Sequence, residues 1–145
     1  MTNQNTAPYA ALILRVSLGV LFLAHGALKI FVFTPAGTVG FFDSIGLPAI
    51  FAYLTILAEV GGGIALIAGF ATRLVSIATL PILIGAVFMV HGANGWLYTN
   101  PNGGWEFPAF WAATLVVQAL LGDGAYAVRT PKILTLTPDS FARQS

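Results

Sequence analysis

Residues Tyr9–Phe33 read YAALILRVSLGVLFLAHGALKIFVF, and this stretch decides the architecture. A helix rising about 1.5 Å per residue needs about 20 mainly apolar residues to cross a hydrocarbon core about 30 Å thick. The stretch has that length, with Arg15, His25 and Lys29 as its ionisable groups. Three further apolar runs follow, giving spans at about 9–33, 48–70, 73–91 and 105–122. Pro48 suits the first turn of the second span, where its missing N–H costs nothing. Thr34–Pro35–Ala36–Gly37 and Gly122–Asp123–Gly124 read as breaks, and Ala71–Thr72–Arg73 as a short turn.

Composition agrees. The chain of 145 residues is 57% apolar with 16 glycines, and only 8% of it is charged, where a soluble domain carries about 25% charge. So few charges cannot clothe a water-facing surface. The reading is an all-α polytopic membrane protein, a four-transmembrane-helix bundle at 9–124, with an N-terminal segment at 1–8 and a short tail at 125–145. The first eight residues lack the basic region and cleavage pattern of a signal peptide, so the first span is expected to be retained. Arg73, Arg129, Lys132 and Arg143 fall on one side of a four-span arrangement, and the opposite loops contain neither Lys nor Arg. That bias predicts both termini in the cytoplasm, and a bacterial plasma (inner) membrane as the location.

A net charge of +1 leaves no basic surplus for a phosphate backbone, which removes nucleic acid as a partner. The absence of cysteine removes disulfides, thiolate metal sites and dithiol relays. No metal site is expected. Gly61–Gly62–Gly63 is no dinucleotide fingerprint, because no strand–turn–helix unit surrounds it; close helix packing is its ordinary use.

The informative residues are the ionisable ones that hydrocarbon should exclude, because such groups face the bundle interior, pair or snorkel. Glu59 lies about eleven residues past Pro48, roughly 16 Å down its helix. His25 lies roughly 12 Å inside the outer end of the first span, which runs antiparallel to the second, so the two depths allow contact. Lys29 shares the His25 face at i+4. His91 and Glu106 end and begin adjacent spans at one outer level. Together these residues predict a polar cavity that opens outward and reaches down to Glu59. Arg15 is a further intramembrane cation, and Trp96, Tyr98 and Trp105 form an aromatic belt or line a ligand. Each of these groups has a structural use as well: a buried Glu paired with a cation can simply lock two helices.

Several blocks resemble the DoxX family of small four-helix membrane proteins. They are Arg15–Val16–Ser17–Leu18–Gly19 leading through Phe22–Leu23–Ala24–His25–Gly26 to Lys29, then Glu59 with Gly62, Gly63, Leu66, Gly69 and Thr72–Arg73. Gly85–Ala86 and Phe88 then run to His91–Gly92, with Gly104–Trp105–Glu106 and Gly122–Asp123–Gly124 beyond. After the last glycine the chain departs from the family pattern, with Tyr126–Ala127–Val128 where Ser–Leu–Asp is common. The resemblance implies a redox-associated membrane subunit.

Three functions compete. In the first, a quinone or similar lipophilic molecule is the cofactor, Glu59 and His25 are catalytic and handle protons, and Lys29, Arg15, His91, Glu106 and Trp105 bind it. The chain has no thiol or metal motif to supply electrons, so that reading needs a redox-enzyme partner. In the second, the chain is a non-enzymatic scaffold or assembly subunit embedded in membrane lipids. In the third, it transports a small solute, for which a homo-oligomer would supply more helices.

Overall fold

The computed structural model describes residues 6–135. Helix α1 (Ala7–Ala27) starts with Pro8 in its first turn. The Thr6 carbonyl accepts the Tyr9 and Ala10 amides at 3.1 and 3.0 Å. It continues as one π turn, Leu28–Val32, closed by the Phe33 amide on the Leu28 carbonyl at 2.9 Å. Then α2 (Thr34–Ser44), α3 (Ala49–Ala68), α4 (Thr72–Gly85) and α5 (Glu106–Leu121) follow. A second π segment (Ala86–His91) and a 3₁₀ turn (Gly92–Asn94) extend α4.

The expected break at Thr34–Gly37 is only one residue wide. Thr34 takes φ 63° and turns the chain, but Pro35 then occupies the first turn of α2, where proline favours a helix. The Thr34 hydroxyl accepts the Gly37 amide at 3.2 Å. Thr38 donates to the Thr34 carbonyl at 2.9 Å and to the Lys29 carbonyl at 3.3 Å, holding α2 against the end of α1. The break after α5 stands as expected, with Gly122 at φ 84°, but the turn after α3 falls at Gly69–Ala71, with Gly69 at φ 74° and Ala71 at φ 48°, so Thr72 and Arg73 of the expected turn are already in α4.

Among the described residues, three helical segments are long and apolar enough to cross a membrane: Ala7–Val32, Ala49–Ala68 and Thr72–Asn94. The fourth expected span is the shorter apolar helix α5, 16 residues long, or about 24 Å of rise. Helices α1, α3, α4 and α5 nonetheless share one core, formed by Leu18, Phe22, Leu66, Leu83, Trp111 and Leu115. The tightest seam joins α1 to α3. A Cβ placed on Gly19 would lie 2.7 Å from the Gly63 carbonyl oxygen, and one on Gly63 would lie 2.8 Å from that of Gly19. Only glycine permits that approach.

The distribution of polarity is the reverse of a water-soluble protein. Arg15 is 1% exposed and Glu59 3%, whereas Phe31 is 80% exposed and Leu120 73%. Charge lies inside and hydrocarbon outside, as lipid requires. The expected domain 1–8 is described only from Thr6. Of the expected tail at 125–145, residues up to Thr135 are described, so Arg143 lies outside the described residues.

Candidate functional site

The π turn at the end of α1 carries Lys29, and its Nζ lies 2.8 Å from Glu59 Oε1 on α3. The approach of the two helices is set by Gly26, where a Cβ would fall 2.8 Å from Val60 Cγ2 and 3.4 Å from Glu59 Cβ. Glu59 is buried and Lys29 partly so. The second carboxylate oxygen, Oε2, is buried without a hydrogen-bond partner among the described residues. A buried carboxylate oxygen with spare acceptor capacity is costly to leave alone, and it gives this spot the capacity to take a proton or a donor. His25, one turn below Lys29 on α1, is half-buried. Its ring meets Trp111 of α5 edge-on at 5.0 Å, and the Trp111 indole N–H is also buried and unpartnered. The cluster is therefore Lys29, Glu59, His25 and Trp111. The partner of Glu59 is Lys29 rather than His25; Lys29 stands three residues after Gly26, the residue that packs against Glu59.

Arg15 lies 14 residues before Lys29 on the same helix, some 21 Å away along its axis. Its two terminal nitrogens close the other end of the bundle, while its Nε is buried without a hydrogen-bond partner among the described residues. Its guanidinium donates to the Leu66 carbonyl at 3.0 Å, to the Ile67 carbonyl, and to the Ala125 carbonyl at 2.8 Å. The first two are carbonyls of the last turn of α3, where a cation is favoured, and that of Leu66 also accepts the Gly69 amide at 3.1 Å. The segment after α5 completes this closure. Asp123 Oδ1 accepts the Thr72 amide at 3.1 Å and Thr130 Oγ1 the Ala71 amide at 2.8 Å, together satisfying the start of α4. The Val128 amide reaches the Ala68 carbonyl at 3.1 Å, and the Ala125 amide the Pro8 carbonyl at 2.9 Å.

His91 and Glu106 bracket the long loop between α4 and α5, the one ending the π segment and the other opening α5. His91 Nδ1 sits 2.9 Å from the Gly103 carbonyl, which makes that nitrogen the donor. Glu106 Oε1 accepts the Tyr98 amide at 2.8 Å. Asn94 donates to the carbonyls of Asn102 and Gly103 at 3.2 and 2.9 Å. Trp96 and Trp105 meet edge-on at 4.5 Å and, with Tyr98, Glu106, Phe107 and Phe110, line an open groove of about 640 Å³. The expected single cavity is thus divided: Glu106 and Trp105 face the aromatic groove, and Lys29, His25 and Glu59 cluster below. The sequence marks Asp123 only as part of a break and gives no sign of Thr130 or Asn94, because capping and loop-closing residues look like any other short polar residue. No group of three or more His, Cys, Asp or Glu able to hold a metal occurs among the described residues.

Helices that bury their charges and face lipid with phenylalanine and leucine define a multi-pass membrane protein. The chain belongs to the DoxX family, whose model matches residues 10–92. It is 42% identical over 79 residues to CatD of Bacillus subtilis (strain 168), described as a "Putative oxidoreductase", a match covering 54% of this chain and 58% of CatD. It is 29% identical over 125 residues to the inner membrane protein YqjF of Escherichia coli (strain K12), covering 81% of this chain and 87% of that one. No solved structure matches it. The chain is a multi-pass protein of a bacterial inner membrane.

Proposed function

We propose that this chain is the membrane subunit of a redox complex, taking a quinone-class molecule at Lys29, Glu59 and His25 while a partner oxidoreductase supplies the electrons. The observation that carries this reading is the buried Lys29–Glu59 pair with its free Oε2. An ammonium, a carboxylate and an imidazole in a low-dielectric interior suit the carbonyl oxygens of such a ring. A quinone takes up two electrons and two protons on becoming a quinol. Glu59 Oε2 is the atom that would hold a proton for delivery, Lys29 would stabilise negative charge on the neighbouring oxygen, and His25 would exchange protons beside them. The oxidoreductase description of CatD supports the redox class. Arg15, His91 and Glu106 have backbone partners, which favours structural work for those three and keeps a scaffold role as the second reading.

The same proposal takes α5 as a fourth, shorter span, with both termini in the cytoplasm on the side of Arg73 and Arg129. Because the chain has no cysteine, single cysteines at Asn100 and Tyr126 would be unique labels. The arrangement predicts that they react with an impermeant thiol reagent from opposite sides of the membrane.

The test of function is purification in mild detergent, solvent extraction and mass spectrometry of the co-purifying small molecules against a mock membrane preparation. About one quinone per chain, lost in Glu59→Gln and reduced in His25→Ala, is the expected result. Quinone absent from the wild type, with clean capture of a soluble redox enzyme, would instead establish the scaffold.

A further inference from the structure

A second groove, of about 340 Å³, runs between α4 and α5, and none of its lining residues belongs to the Lys29–Glu59 cluster. Arg73 stands at its mouth. It is the second residue of α4, so it lies at the end of the helices rather than in mid-membrane. Its guanidinium packs across the break after α5, with Nε only 2.9 Å from where a Gly122 Cβ would stand. Arg73 makes no hydrogen bond or ion pair with any described residue. The nearby Asp123 directs its Oδ1 to the Thr72 amide instead. A guanidinium at a membrane boundary with its donors unspent is a phosphate-binding group.

One turn along the same face, about 4.5 Å deeper by helix rise, comes Ser76, whose hydroxyl is buried and unpartnered. Beyond it the wall is aliphatic: Ile77 and Leu80 from α4, Val116 and Leu120 from α5. Cation, hydroxyl and hydrocarbon trough follow one another in the order of phosphate, ester and acyl chain in a glycerophospholipid. A free phosphate would use only the first of these.

We propose that this groove is a specific site for one anionic glycerophospholipid. Its phosphate lies on Arg73, its ester carbonyl accepts from the Ser76 hydroxyl after rotation about χ1, and its acyl chain fills the trough. A zwitterionic headgroup brings its own cation next to the phosphate and so competes with Arg73, which gives the site its preference for anionic lipid.

Native mass spectrometry of the delipidated full chain in detergent tests this. The protein is titrated with phosphatidylglycerol, and with phosphatidylcholine of the same acyl chains. The wild type should bind the anionic lipid roughly fivefold more tightly, the factor expected for one basic residue at a membrane surface. Arg73→Gln should erase the preference while Arg73→Lys keeps most of it. Ala119→Leu, which adds bulk to the trough, should weaken both lipids without abolishing the preference. Equal binding of the two lipids by the wild type, or a preference that survives Arg73→Gln, would overturn the proposal. So would competition by glycerophosphoglycerol at the same concentration as the intact lipid, since that would make Arg73 a simple anion site.

Discussion

Lys29 Nζ and Glu59 Oε1 meet at 2.8 Å across the seam between the first and third helices, with one carboxylate oxygen left over. Removing one member of such a pair strands the other in a medium that solvates charge poorly. Lys29→Met should therefore destabilise the protein by about 3 kcal/mol, the lower end of the range for buried pairs, because Lys29 keeps some access to the surface. Lys29→Met combined with Glu59→Gln should cost clearly less than the sum of the two single changes. Thermal unfolding in detergent of the wild type, both singles and the double gives the coupling; strict additivity would mean the contact contributes nothing.

Gly63 and Gly61 lie on the same helix and should answer oppositely to the same change. A Cβ at Gly63 would be 2.8 Å from the Gly19 carbonyl oxygen, while one at Gly61 would meet nothing within 4 Å. Gly63→Ala should then cost about 1–3 kcal/mol through forced separation of the helices. Gly61→Ala should be neutral or stabilising by about 0.5–1 kcal/mol, since alanine restricts the unfolded chain and suits a helix. Melting temperatures of the two variants, compared side by side, decide it.

Arg15 joins the last turn of α3 to the chain after α5 through three backbone carbonyls. Lysine keeps the charge but not the planar fork that reaches several acceptors at once. Arg15→Lys should lose about 2 kcal/mol, the worth of a charged hydrogen bond or so. The Ala125 and Val128 amides should then exchange hydrogen faster than in the wild type. Quinone content should be unchanged, because Arg15 stands far from Glu59. Loss of quinone with unaltered exchange would place Arg15 in the binding site after all.

The long spans were readable because hydropathy and the length of a helix across lipid are properties of consecutive residues. The position of Glu59 was readable for the same reason: counting from Pro48 puts it deep in the membrane, and counting along α1 puts Lys29 on the His25 face. Its actual partner was not, because His25 and Lys29 share a helix face and spacing alone does not say which of the two reaches across to α3. Helix α2 was hidden behind Thr34–Pro35, a pair that signals a stop and a start equally well. Arg15 was the least legible. Its acceptors are main-chain oxygens 51, 52 and 110 positions away, and a carbonyl carries no residue identity for a sequence to display.

Gly104 illustrates how the outer loop is held and offers the sharpest test of it. A Cβ there would collide with the carbonyl oxygens of Leu97, Gly95 and Trp96, all three of which accept amides from Gly104, Trp105 and Glu106 at 2.9–3.0 Å. Backbone atoms cannot move aside as a flexible side chain does, so Gly104→Ala should open the loop at a cost of about 3 kcal/mol. Opening would part Trp96 from Trp105, whose rings touch edge-on at 4.5 Å, and would release Tyr98 from Glu106. Near-ultraviolet circular dichroism should accordingly lose the part of its tryptophan signal that comes from the Trp96–Trp105 pair, with the contribution of Trp111 in the core and the far-ultraviolet helical signal both retained. If the near-ultraviolet spectrum is unchanged by the substitution, the loop is not closed through Gly104. The helices themselves should stay assembled, because α4 and α5 meet through Leu83 and Leu115 in the shared core, well away from the loop.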